Sequence, residues 1–161
     1  MTENEIGTIV IEEAIAIHRE LGPGLLETVY EIVLTRELQN RGLSVGRQVV
    51  VPITYKGIKF EEGFRADIIV AGHVILELKS VERVTPAHKK QVQTYLRLTG
   101  CKLGYLLNFG EELMKSGITR CVYGLPEHNL CASAPLRETF SNSNSVASLF
   151  SPAEAQRRRD F

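Results

Sequence analysis

The hydrophobic period switches at Gly42, and that switch limits the fold more than any other feature. Before Gly42 apolar residues recur every three or four positions; after it they alternate. Ile6, Ile9, Val10, Ala14, Ile17 and Leu21 form one stripe of an amphipathic helix over 5–21, with Thr2 and Glu5 at capping-box spacing. Gly22-Pro23-Gly24 breaks it. Leu26, Tyr30, Val33, Leu34 and Leu38 mark a second helix over about 25–41, with Gly42 placed to cap its C-terminus. Then "QVVVPITY" at 48–55, "IKFEEGFRADIIV" at 58–70 and "HVILELKS" at 73–80 read as three consecutive strands. Pro52 suits an edge or a bulge, and Lys56-Gly57 a turn. Pro86 opens a third helix to residue 99, ended by Gly100. A buried strand at 102–109 and a last one at 118–125 complete the order α-α-β-β-β-α-β-β, an α/β sandwich on a mixed sheet.

A chain of 161 residues can bury one sizeable core. The expected domain is 1–125. Residues 126–161, rich in Ser, Asn and Ala and without periodicity, read as a low-complexity, poorly ordered tail with a short helix near 152–159. No run approaches the roughly 20 apolar residues of a membrane span, and "MTENEIGTIV" lacks the pattern of a signal peptide. Cys101, Cys121 and Cys131 have no C-x-x-C spacing, so free thiols in a reducing cytoplasm are expected. Nineteen basic and nineteen acidic residues cancel, so a nucleic-acid site would need local clustering. Lys79, Arg83, Lys89, Lys90, Arg97 and Lys102 form such a run.

The stretch "ADIIVAGHVILELKS", 66–80, is an apolar hairpin carrying charges that apolar strands normally exclude. Alternation puts Asp67 with Ile69 on one face, and Ala66, Ile68 and Val70 on the other. A turn at Ala71-Gly72-His73 that pairs Val70 with Val74 sets Asp67 opposite Glu77, with Lys79 one pleat on. Two opposed carboxylates repel. A divalent cation offsets that: Mg²⁺ takes oxygen ligands at about 2.1 Å and keeps waters for phosphates, and it activates a bound water. Lys79 is then placed to hold the attacking water or the pentavalent phosphorus. The alternatives are a Glu77–Lys79 pair in solvent and an Asp67–Arg65 salt bridge.

Beyond the hairpin, His88, Gln91 and Tyr95 share one face of the third helix and suit contacts to a phosphate backbone or the carboxylates; a polar rim over the sheet is the alternative. Glu27 either complements the second helix's dipole or points into the site as a further metal or metal-water contact.

These residues resemble known patterns. Gly24, Glu27 and Tyr30 in "GLLETVY" fit the G-x-x-E-x-x-Y signature of the GxxExxY proteins. Asp67, then Glu77-Leu78-Lys79, then Gln91-x-x-x-Tyr95 resemble the D…E-x-K…Q-x-x-x-Y series of the PD-(D/E)XK nuclease superfamily, on its RecB-like side, over about residues 5–125. The resemblance implies a restriction-endonuclease-like αβββαβ core, a mixed central sheet flanked by helices, with an extra N-terminal helix. It implies Asp67, Glu77 and Glu27 at a Mg²⁺ or Mn²⁺ ion, Lys79 as the catalytic lysine, and Gln91 and Tyr95 orienting nucleic acid or site residues. Lys79, Arg83, His88, Lys89, Lys90, Gln91 and Tyr95 are the expected nucleic-acid contacts. Ala66 stands where the motif's proline would, His18 is the one candidate for the upstream-helix histidine of RecB-like enzymes, and no cysteine set suits an iron–sulfur cluster. The expected partner is nucleic acid, DNA ahead of RNA, with a protein partner or second copy assisting and no membrane. The competing expectation is a non-catalytic nucleic-acid- or protein-binding module on a nuclease fold.

Overall fold

The computed structural model of the chain describes residues 1–124; the expected tail, with its short helix near 152–159, and Cys131 lie outside them. Nine elements follow in order: α1 (Glu3–Leu21), α2 (Glu27–Asn40), β1 (Val45–Tyr55), β2 (Ile58–Val70), β3 (Val74–Lys79), α3 (Pro86–Thr99), β4 (Leu103–Asn108), a single turn α4 (Met114–Gly117) and β5 (Ile118–Val122). The strands form one sheet in the order β1-β2-β3-β4-β5. All neighbours are antiparallel except β3 and β4, which run parallel across the α3 crossover. This is the mixed, helix-flanked sheet of a restriction-endonuclease-like α/β fold.

Two apolar layers close on the sheet. On one face α1 and α2 bring Ile6, Val10, Ala14, Tyr30, Leu34 and Leu38 against Ile68, Val70, Val74, Leu76 and Leu78. On the other, Val92, Tyr95 and Leu96 of α3 pack with Val51, Ala66, Ile75 and Leu106. β3 lies inside the sheet, so its apolar residues are buried on both faces.

The local signals work as their chemistry requires. Thr2 and Glu5 form the capping box of α1, Gly42 and Gly100 take the left-handed backbone after their helices, and the β1–β2 register slips between Val51 and Ile53, around Pro52. Several bounds differ from the sequence reading; β1 begins at Val45 rather than residue 48, and β5 ends at Val122 rather than residue 125. Helix α2 starts at Glu27 rather than Leu25, because the Tyr30 hydroxyl accepts the Leu25 N–H (3.2 Å) and Leu26 stays extended. The turn α4 has too few residues to show a period.

Candidate active site

The site forms where the β2–β3 ladder ends. Val70↔Val74, Ile69↔Ile75 and Ile68↔Leu76 pair in the expected register. Asp67 and Glu77 would be the next pair, but the ladder stops before them. The Asp67 carboxylate takes over the role of a strand carbonyl: its Oδ2 accepts the Leu78 N–H at 2.8 Å. β3 continues on its other side, pairing with β4 as far as Lys79↔Asn108. The side chain of Asp67 is thereby fixed against the peptide that joins Glu77 to Lys79.

Strict alternation in β2 fails at the same point. Ile68 and Val70 face the α1/α2 layer as expected, but Ala66 packs into the α3 layer. A strained residue lies across the ladder. Gln48 and Asp67 fall between the pairs Arg47↔Ile68 and Val49↔Ala66, and Gln48 has φ 50. A left-handed backbone at a residue with a Cβ costs about 1–2 kcal/mol.

Glu77 is 2% exposed. Its Oε1 accepts from Lys79 Nζ at 2.7 Å, and its Oε2 is buried without a hydrogen-bond partner. The pair is thus buried rather than solvated. Burial, with the Asp67 and Glu27 charges adding to it against the opposing pull of Lys79, raises the Glu77 carboxyl to about 7. Burial also raises Asp67, against the Leu78 amide and Lys79. Burial pulls Lys79 down, but its hydrogen bond to Glu77 and the charges of Glu77, Glu27 and Asp67 outweigh it, leaving the lysine above its ordinary range. Lys79 is therefore a cation at neutral pH, a donor and not a base. Asp67 has no ion pair with Arg65 among the described residues; the Arg65 carbonyl instead accepts from Tyr95.

Glu27 reaches the strand end from the other layer. Its Oε1 accepts the Ser80 N–H at 3.1 Å, and Ser80 Oγ donates to the Leu25 carbonyl at 2.7 Å. Tyr30 is buried, stacks on Phe109 at 4.3 Å and donates to the Gly22 carbonyl. Gly24, at φ 99, supplies a backbone that a side chain would strain. The three residues of "GLLETVY" thus clamp the α1–α2 loop onto the end of β3.

On α3, Gln91 Nε2 donates to Tyr95 Oη at 2.7 Å, and Tyr95 Oη donates to the Arg65 carbonyl at 3.1 Å. Burial raises the Tyr95 hydroxyl, with the Glu77 and Asp67 charges adding to the effect. The structure therefore brings together Glu27, Asp67, Glu77, Lys79, Gln91 and Tyr95. His88 instead accepts the Thr85 N–H through Nδ1 and caps α3. Arg83, Lys89 and Lys90 are exposed. An open groove of about 350 Å³, lined by Lys90, Gln93, Thr94, Arg97 and Tyr123, lies apart from the carboxylates. His18 is buried with Nε2 2.7 Å from the Glu111 carbonyl, joining α1 to the β4–β5 connection.

Sequence reasoning missed three residues. Glu31 is buried on α2; its Oε1 accepts from Arg47 Nε at 2.8 Å and its Oε2 from Gln48 Nε2 at 2.9 Å. Gln48 Nε2 also lies 3.4 Å from Asp67 Oδ1. The available signal was faint: a polar Arg47-Gln48 pair ahead of an apolar run.

The donor set suits a hard divalent cation. Glu77 offers a buried oxygen with no partner, next to a second carboxylate. Among the described residues no three His, Cys, Asp or Glu side chains converge as a group that could hold a metal ion. Among the same residues no helix is long and apolar enough to cross a membrane. A family model described as PD-(D/E)XK nuclease superfamily matches residues 4–121. No curated protein and no solved structure matches the chain.

Proposed function

The chain belongs to the PD-(D/E)XK nuclease superfamily, and on that premise we propose that it is a Mg²⁺- or Mn²⁺-dependent nuclease that hydrolyses phosphodiester bonds in DNA, in repair, recombination or defence. Superfamily members generally use divalent metals on a nucleic-acid substrate. The observation that carries the reading is the Glu77 Oε2 atom, buried without a donor beside Asp67. An unpaired buried carboxylate oxygen is costly, and a cation offsets that cost.

Asp67 and Glu77 would hold the ion. Glu27, with Oε1 engaged by Ser80, adds charge and a route through water. When bound, the ion lowers the pKa of a water and neutralises charge growing on the phosphate. Lys79 presents an ammonium at the strand end, where it donates to the water or to a phosphate oxygen and stabilises the charge of the transition state. Leu78 N–H and Gln48 fix the Asp67 carboxylate. Tyr95 and Gln91 tie α3 to the β2 backbone two residues before Asp67. Water attacks phosphorus, the P–O bond to the leaving strand end breaks, and that oxygen takes up a proton. The G-x-x-E-x-x-Y clamp supports placing the chain among the GxxExxY proteins.

The balanced net charge argues for help in binding substrate, from a protein partner or a second copy, and the cytoplasm is the compartment this activity suits. The test is cleavage of labelled single- and double-stranded DNA and RNA with Mg²⁺ or Mn²⁺. Cleavage that disappears with chelator and in Lys79→Ala supports the proposal. Binding of nucleic acid without cleavage, unaffected by Lys79→Ala, would support a non-catalytic module instead.

A further inference from the structure

Asp67 is one of two carboxylates to which the nuclease reading gives the ion, and among the described residues no Lys or Arg side chain forms a salt bridge with it. Its Oδ2 is engaged by the Leu78 N–H at 2.8 Å, and its Oδ1 faces Gln48 Nε2 at 3.4 Å. The same Gln48 nitrogen donates to Glu31 Oε2 at 2.9 Å. An amide NH₂ has two hydrogens, and here two carboxylates take them. With carboxylate acceptors on both sides, the nitrogen of the amide faces them.

Glu31 anchors this arrangement. It is 4% exposed, and its other oxygen receives Arg47 Nε at 2.8 Å. Both of its oxygens are used by neighbours on β1, one residue apart. Gln48 is itself exposed, and it meets both carboxylates from a backbone at φ 50, a conformation unfavourable for any residue with a Cβ. The strain falls at the position facing Asp67, between Arg47↔Ile68 and Val49↔Ala66. Strained backbone persists where surrounding contacts determine it; here those contacts are the two carboxylates.

We infer that Gln48 is a positioning residue for the metal site: held by buried Glu31, it fixes the rotation of the Asp67 carboxylate so that its remaining lone pairs point at a divalent cation. Each Asp67 oxygen accepts one N–H and keeps further acceptor capacity. A neutral amide does this without adding a positive charge that would compete with the ion. Partners that orient ligating carboxylates in this way are typically worth about 10–100-fold in metal affinity or activity.

The inference deepens the nuclease reading and rests on it for the identity of the bound group. The test compares wild type with Q48M, which keeps the side-chain volume but has no donor, and with Q48G, whose backbone accepts φ 50 freely and so folds if methionine does not. Two readouts are used on the full chain. Calorimetric titration with Mn²⁺ should show affinity falling about 10–100-fold in both variants. In metal-free protein, hydrogen exchange at the Leu78 amide should accelerate in both variants while Ile69 and Leu76, inside the ladder, stay protected. Leu78 exchange and Mn²⁺ affinity unchanged from wild type would overturn the inference. A wild type that binds no Mn²⁺, even with an oligonucleotide present, would overturn the nuclease reading; Leu78 exchange then decides by itself whether Gln48 holds Asp67.

Discussion

Glu77→Gln isolates the energetic strain of the site. The Glu77 carboxyl is raised from 4.5 to about 7, chiefly by burial. Ionisation in the fold is therefore about 300-fold harder than in the unfolded chain, about 3 kcal/mol at 1.36 kcal/mol per tenfold. Below pH 4.5 both states keep the proton and Glu77 costs nothing. As pH rises to about 7 the unfolded chain loses the proton while the fold retains it, so stability falls; above 7 the full cost stands. Asp67, also raised by burial, acts in the same direction. Lys79, raised above an ordinary value of 10.5, stays charged in both states across this range and adds no slope. Urea unfolding of metal-free protein at pH 5 and pH 8 should show wild type losing about 2.5 kcal/mol more than Glu77→Gln, because part of the cost is already present at pH 5, or roughly 8 °C in Tm. Mg²⁺ at a hundredfold over its Kd should return about 2.7 kcal/mol to wild type at pH 8 and nothing to the variant. Parallel pH profiles for the two proteins would refute the reasoning, because they would mean that Glu77 ionises as easily in the fold as outside it.

Three further outcomes are expected. Lys79→Ala should fold and keep its ion but lose about 10²–10³-fold in cleavage rate, the size of a lost transition-state donor; loss of the fold in circular dichroism would make Lys79 structural. Glu27→Gln keeps an oxygen for the Ser80 N–H, so its thermal stability should change by less than about 1 kcal/mol while Mn²⁺ affinity or rate drops. A large fall in Tm with unchanged ion binding would assign Glu27 to the helix dipole. Tyr95→Phe removes the donor to the Arg65 carbonyl, which should cost about 1–3 kcal/mol in urea unfolding, with cleavage reduced further because α3 no longer holds the strand before Asp67.

The hairpin register was readable because Ala71-Gly72 fixes the turn and one pairing then fixes all others. Asp67, Glu77 and Lys79 stood out because charges in apolar strands need a reason. The helices were readable from their stripes and caps. Gln48 was not, since its left-handed backbone is carried by glutamine rather than Gly or Asn, and tertiary contacts set it. Glu31 has no spacing that separates a buried carboxylate from a surface one; only the fold brings Arg47 and Gln48 to it. His88 was assigned to the helix face with Gln91 and Tyr95, but it lies in the first turn, where capping the Thr85 N–H takes its ring. The expected register holds as far as Ile68↔Leu76, but Asp67 and Glu77 do not pair across the ladder; the Asp67 carboxylate instead accepts the Leu78 N–H.

The central claim is that Asp67 and Glu77 together bind a divalent cation. Calorimetric titration of Mg²⁺ and Mn²⁺ into wild type and the Asp67→Ala/Glu77→Ala double variant, each with and without an oligonucleotide, tests it most directly. The account predicts saturable binding by wild type, strengthened by oligonucleotide, and none by the double variant under either condition. Equal binding by both proteins, or none by wild type with oligonucleotide present, would contradict it.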